Sequence, residues 1–253
     1  WVSLEASPVG TVRPCCLADH EIRDDTGEKF DLNTASFVAI QNCNDMRELR
    51  KQFLRGEQPE TCRKCWTEES ADRVSKRMHT IDRLKHAIPV MEWTVDARPL
   101  MFLDLKLGNI CNLKCRICGS WSSSQFASEE INWTRPEERK DSFSYKMLRA
   151  GAWPRENPTF WQEIDQVVDQ IRYIEFTGGE PFMIREHFQM LQGLVDRGIA
   201  GQVEIHYNTN GTQYPEGAIE IWKHFKAVEI AFSIDDIEHR FEYQRTNARW
   251  DEV

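Results

Sequence analysis

Residues 100–119 read L-M-F-L-D-L-K-L-G-N-I-C-N-L-K-C-R-I-C-G, and this stretch decides the fold. Its first half, Leu100 to Leu107, is a strand-like run closed by Gly108 and Asn109. Its second half carries Cys111, Cys115 and Cys118 in a C-x3-C-x2-C spacing. A parallel α/β fold places its active-site groups in the loops that follow its strands. Three thiolates can hold three irons of a four-iron, four-sulfur cluster and leave the fourth open for chemistry. The same spacing also suits one face of a helix, where cysteine is a common buried residue. Gly108, Asn109 and Gly119 around the triplet favour a loop.

Downstream, strands and helices alternate. Tyr173–Phe176, Val203–Tyr207 and Val228–Ser233 are strand-like. Phe160 to Ile171 carries Phe160, Ile164, Val167, Val168 and Ile171, an apolar stripe at helical spacing. Phe182 to Ile199 and Ile219 to Phe225 are further helical patterns. Strand, helix, strand with no hairpin signal predicts parallel strands joined by right-handed crossovers. Residues 120–158 form a long connection rich in Trp, Phe and Met, expected to pack as helices and shape a substrate pocket.

Residues 1–95 read differently, with five cysteines and few strand signals. Asn44 to Leu54 has helical spacing with Gly56 as a stop. Cys62 to Ala87 reads as one long charged helix with Cys62 and Cys65 in its first turn, ended by Ile88-Pro89.

The net charge of −9 argues against a general nucleic-acid binder, because no broad basic face is implied. No run of apolar residues is long enough to span a membrane. The opening W-V-S-L-E-A-S-P-V-G lacks the basic start and apolar core of a signal peptide. All eight cysteines except Cys43 fall in short-spaced groups. That suits metal ligation in a reducing compartment, and a cytoplasmic protein is expected. The sequons at Asn132 and Asn210 are then chance matches. Cys43 reads as a small buried hydrophobe.

The second motif is F-T-G-G-E-P-F, Phe176 to Phe182, at the end of the second strand. Gly178 and Gly179 permit close approach of the backbone to a ligand. Glu180 offers a carboxylate suited to an ammonium group. The cysteine triplet one strand before G-G-E-P resembles the signature of the radical S-adenosylmethionine (radical SAM) enzymes, over residues 100–253. The resemblance implies a partial parallel (β/α) barrel, of which about four βα units are visible in 96–253. It implies a cluster on Cys111, Cys115 and Cys118, and an S-adenosylmethionine whose amino group meets Glu180. The third strand ends in Y-N-T-N-G-T and the fourth in F-S-I-D-D. Asn208, Asn210, Ser233 and Asp235 match the family's polar cofactor contacts. The residue before the last cysteine is often aromatic in the family and is Ile117 here. The barrel is shorter than the family's full one, so a C-terminally truncated core is expected. The missing initiator Met similarly suggests an absent upstream segment.

The runs P-V-G-T-V-R-P-C-C and R-G-E-Q-P-E-T-C-R-K-C-W resemble the auxiliary-cluster modules called twitch and SPASM domains. That resemblance implies a second iron–sulfur cluster on Cys15, Cys62 and Cys65, within a module spanning 1–95. Its usual first cysteine would lie upstream of Trp1, so the expected fourth ligand is that upstream cysteine, Cys16, Cys43 or a substrate. Four-cysteine zinc sites share this spacing, and a non-catalytic zinc or iron–sulfur module is the competing reading. The implied enzyme cleaves S-adenosylmethionine reductively and abstracts a substrate hydrogen. The substrate is expected to be a peptide or protein, or alternatively a small molecule such as an amino sugar. A flavodoxin or ferredoxin is the expected electron donor.

Overall fold

The computed structural model describes residues 1–88, 93–96, 99–155 and 157–253. The N-terminal segment forms Ser3–Ala6 (β1) and Val12–Arg13 (β2), joined by a turn in which Gly10 has a φ of 92°. Helices Phe37–Asn42 (α1), Asn44–Leu54 (α2), Arg63–Ser70 (α3) and Lys76–Leu84 (α4) follow. Phe102–Lys106 (β3) leads into the cysteine loop, within which Lys114–Cys115 (β4) is extended. The long connection is helical as expected, with Ser124–Trp133 (α5) and Phe143–Ala150 (α6). Then come Pro158–Val167 (α7), Tyr173–Thr177 (β5), Glu186–Asp196 (α8), Glu204–Thr209 (β6), Ala218–Trp222 (α9) and Ala227–Phe232 (β7). Glu238–Gln244 (α10) and Arg245–Thr246 (β8) close the chain's regular structure.

One six-stranded sheet runs in the order β2-β1-β3-β5-β6-β7. All its pairings are parallel except the edge hairpin β1–β2. The four strands expected downstream are β3, β5, β6 and β7. The pair β1–β2 gave no sequence signal, because a four-residue and a two-residue strand are too short to show a period. β1 is recruited by β3, against which Leu4 pairs with Leu103 and Glu5 with Asp104.

The two faces of this sheet differ in chemistry. Leu4, Leu103, Leu105, Ile174, Phe176, Ile205 and Tyr207 pack in a single apolar cluster with Phe37, Phe160, Ile164, Leu191 and Leu194 of the helices. Each such fully buried side chain contributes about 1.5–3 kcal/mol. The opposite face carries Glu5, Asp104, Glu175, His206 and Glu229, aligned side by side across five strands. Cations answer this row. Arg13 and Lys106 meet Glu5, Lys76 meets Glu175 at 2.5 Å, and Arg83 of α4 reaches Glu204 and Glu229. Residues of the N-terminal segment thus supply two sheet strands, part of the core and most of the counter-charge.

Two expected helices are shorter than the pattern suggested. The single helix over Cys62 to Ala87 is two, because Asp72 turns left-handed at φ 55° and Ser75 caps a new start by accepting from the Met78 N–H. Pro89, its expected stop, lies outside the described residues. Phe182 to Ile199 begins as a short 3-10 turn, Pro181–Met183, before α8 starts at Glu186.

Candidate active site

The cysteine triplet lies in a loop and a two-residue strand, so the helix-face reading falls. Ordered contacts hold this loop. Gly108 sits at φ 95°, and a Cβ there would come within 1.8 Å of the Gly151 carbonyl oxygen. The Asn109 amide donates to the Ser120 carbonyl at 2.8 Å, and the Cys111 N–H donates to the Ser124 hydroxyl at 3.2 Å. Leu113 is fully buried in a small cluster with Cys111, Cys115, Phe241 and Ala248. β4 pairs antiparallel with β8, which ties the loop to the chain after α10.

All three thiols are free, Cys111 and Cys115 buried and Cys118 half-buried. Burial pushes the Cys111 thiol up. Cys115 and Cys118 share a hydrogen bond, which raises the Cys115 thiol and lowers that of Cys118. The Cys111 sulfur accepts from the Leu113 N–H at 3.4 Å and the Asn210 amide at 3.7 Å. Three soft thiol donors on one short loop, two of them buried and the third packed against the same small cluster, suit an iron–sulfur cluster.

The G-G-E-P turn packs directly on this loop. Gly179 has a φ of 56°, and a Cβ there would lie 2.4 Å from the Ile110 carbonyl oxygen. A Cβ at Gly178 would lie 2.8 Å from the Lys106 Cβ. Both glycines are therefore required by contact with the chain itself, a closer constraint than the ligand approach read from the sequence. The Glu180 N–H donates to the Ile110 carbonyl at 2.8 Å. Its carboxylate is fully buried and accepts from the Thr209 hydroxyl (2.8 Å), the Asn210 N–H (2.8 Å) and the Phe182 N–H (3.2 Å). Burial raises the Glu180 pKa and these three donors oppose the rise. No cation pairs with it among the described residues.

The other expected positions surround this centre. Asn208 is exposed near the end of β6, and Asn210 is buried and also donates to the Asn112 side chain at 3.0 Å. Burial of Asn210 is incompatible with its sequon being used in the folded chain. β7 stops at Phe232, so Ser233 and Asp235 lie just beyond the strand rather than within it. The Ser233 N–H donates to the Thr209 carbonyl at 2.8 Å. Asp235 pairs with Arg245 at 2.7 Å, and Arg245 donates to the Cys115 sulfur at 3.3 Å. Ile117 is 75% exposed beside Cys118. Sequence reasoning missed Thr209, Asn112 and Arg245. Thr209 lay inside the quoted Y-N-T-N-G-T motif, whereas Arg245 had no signal, because only the β4–β8 pairing brings it back to the loop.

The N-terminal cysteines gather separately. Cys15 follows β2, Cys62 ends a short 3-10 turn and Cys65 is buried in the first turn of α3. The Asp19 N–H donates to the Thr61 carbonyl at 3.2 Å, which ties the two segments together. Burial pushes Cys62 up to about 12, with Cys15 and Cys65 close enough to add to the effect. Of the two candidate fourth ligands, Cys16 turns to the polar sheet face. Its sulfur, Asp104 and Glu175 have their ligand atoms within 4.8 Å of one another. Lys76 and Lys106 already balance these carboxylates. Cys43 caps α2, half-buried against the apolar core.

Compared with family models, residues 105–253 match that of the Radical SAM superfamily, and residues 1–66 match SPASM, an iron-sulfur cluster-binding domain. No curated protein and no solved structure matches the chain. No helix among the described residues is long and apolar enough to cross a membrane.

Proposed function

Because this chain belongs to the radical SAM superfamily, we propose that Cys111, Cys115 and Cys118 hold its catalytic four-iron, four-sulfur cluster and that the strand ends beside them bind S-adenosylmethionine. When bound, that pair supplies the family's chemistry, one-electron cleavage of S-adenosylmethionine to a 5′-deoxyadenosyl radical. The observation that carries the assignment is the contact between the triplet's loop and the G-G-E-P turn, made through Glu180 N–H and the Ile110 carbonyl.

The chain's own residues then divide the work. Glu180 carries a buried negative charge balanced only by hydrogen bonds, and an arriving ammonium group supplies the missing cation. Asn210 and Thr209 hold that carboxylate in place. Asn208, Ser233 and Asp235 offer polar groups along the same rim. Gly178 and Gly179 keep the two loops in register. These groups fix the cofactor's reactive carbon and exclude stray hydrogen donors.

Cys15, Cys62 and Cys65 are the proposed ligands of the auxiliary cluster, which the match over residues 1–66 supports. Resemblance of this module to those of peptide-modifying enzymes favours a peptide or protein substrate over a small molecule such as an amino sugar. A low-potential one-electron carrier such as flavodoxin or ferredoxin is the proposed donor, in the cytoplasm. Cys111→Ala tests the assignment. It should lose the catalytic iron and abolish deoxyadenosine formation while the auxiliary iron stays. Unchanged deoxyadenosine formation would sink it.

A further inference from the structure

We infer that Arg245 is a positioning residue for the catalytic cluster, raising its reduction potential through a charged hydrogen bond to the Cys115 sulfur. The inference rests on the reading that the triplet holds a cluster. Arg245 is 5% exposed. Its Nη1 donates to the Cys115 sulfur at 3.3 Å, and its Nη2 pairs with Asp235 at 2.7 Å. Its Nε is buried with no hydrogen-bond partner. A buried guanidinium whose Nε donor is unmatched needs an acceptor, since leaving such a group unpaired is costly. A sulfur-rich anion seated on the triplet supplies one. Among the described residues, the Leu113 N–H and the Asn210 amide also donate to a triplet sulfur, but both are neutral and both serve Cys111.

Geometry holds the guanidinium in place. β8 pairs Arg245 directly opposite Cys115 across the β4–β8 ladder. Asp235 fixes the outer nitrogen, and the Phe241 ring lies 5.9 Å from the guanidinium carbon. A guanidinium held at both terminal nitrogens in this way keeps its direction in a way a lysine ammonium cannot.

The consequence is electrostatic. Reduction by a one-electron donor adds one negative charge to the cluster and none elsewhere. A fixed positive charge and an N–H···S bond at one ligand favour the reduced form, and burial strengthens both. Asp235 opposes this by partly neutralising Arg245. The same carboxylate stands among the proposed S-adenosylmethionine contacts. A ligand that takes up Asp235 therefore frees Arg245 to act on the cluster.

The test is an EPR-monitored redox titration of the intact, cluster-loaded chain. The catalytic signal is identified as the one absent from Cys111→Ala. Arg245→Met should lower the reduced-to-oxidised ratio at a fixed potential about tenfold, which is 59 mV for one electron. Arg245→Lys should recover part of the shift, keeping charge without the fork. Asp235→Asn should move the potential the other way. If Arg245→Met fails to load its cluster, Asp235→Asn decides: a positive shift supports the role and no shift overturns it. A parent chain without a triplet cluster overturns the underlying reading. A loaded parent whose potential ignores both substitutions overturns the role of Arg245 alone.

Discussion

Gly179→Ala asks whether the G-G-E-P turn and the cysteine loop are one unit. Gly179 sits at φ 56°, where a side chain costs about 1–2 kcal/mol. The new Cβ would lie 2.4 Å from the Ile110 carbonyl oxygen and 3.0 Å from the Asn109 carbonyl carbon. Both neighbours are backbone, so no flexible side chain can give way. Relief requires a retreat of about 1 Å by the segment that immediately precedes Cys111. That retreat breaks the bond from the Glu180 N–H to the Ile110 carbonyl, at a further cost of about 1–3 kcal/mol if the groups stay buried. The total, about 2–5 kcal/mol, is a large share of the 5–15 kcal/mol typical of a folded domain. The variant should fold, with a lower urea midpoint and less iron at the triplet. Gly193→Ala is the control. It lies in α8 with nothing within 4 Å of the added Cβ, and should stabilise the helix by up to about 1 kcal/mol. Iron content and urea midpoint are read on both. If Gly179→Ala keeps the parent's values in both measurements, the two loops are not mechanically joined.

Two further outcomes follow from buried groups. His187 is fully buried, accepts from or donates to the Tyr207 hydroxyl at 3.1 Å, and burial lowers its pKa from 6.5 to about 3. The folded value lies below the unfolded one, so the stability of the neutral ring is complete above pH 6.5 and is lost as pH falls toward 3. Unfolding free energy should fall by about 1.4 kcal/mol per pH unit from this group between pH 6 and 4, and His187→Gln should flatten that slope in urea titrations. Cys16→Ser should leave total iron per chain unchanged, because Cys16 faces Asp104 and Glu175 rather than the other N-terminal cysteines. A loss of auxiliary iron in that variant would make Cys16 a ligand.

Much of this architecture was legible in the sequence where the physics is local. The strands β3, β5, β6 and β7 announce themselves because apolar residues recur at every second position and face the helices. The triplet and the G-G-E-P turn are legible because glycine at a positive φ and closely spaced cysteines each have few other uses. The break between α3 and α4 was hidden, since Ser70 to Ser75 offers both helix-compatible residues and a competing cap at Ser75. β1 was hidden for a different reason. S-L-E-A has no strand signal of its own, and its extended form is imposed by the exposed edge of β3. Arg245 was the least legible of all. Its role depends on a two-residue ladder between segments 130 residues apart.

The charged residues inside the strands connect these observations. Asp104, Glu175, His206 and Glu229 stand at the same register of their strands, and Glu5 of β1 extends the row. A sheet covered by helices on both faces would read as nearly continuous apolar runs. Here one face must instead be met by cations or by water. Arg13, Lys76 and Arg83 come from the N-terminal segment and meet that face. Removing the segment would strip Lys76 from the buried Glu175, the costly way to break an ion pair. The strands that lead to Cys15 and to the loop of Cys111, Cys115 and Cys118 thus lie in one sheet, joined by charge as well as by the shared core.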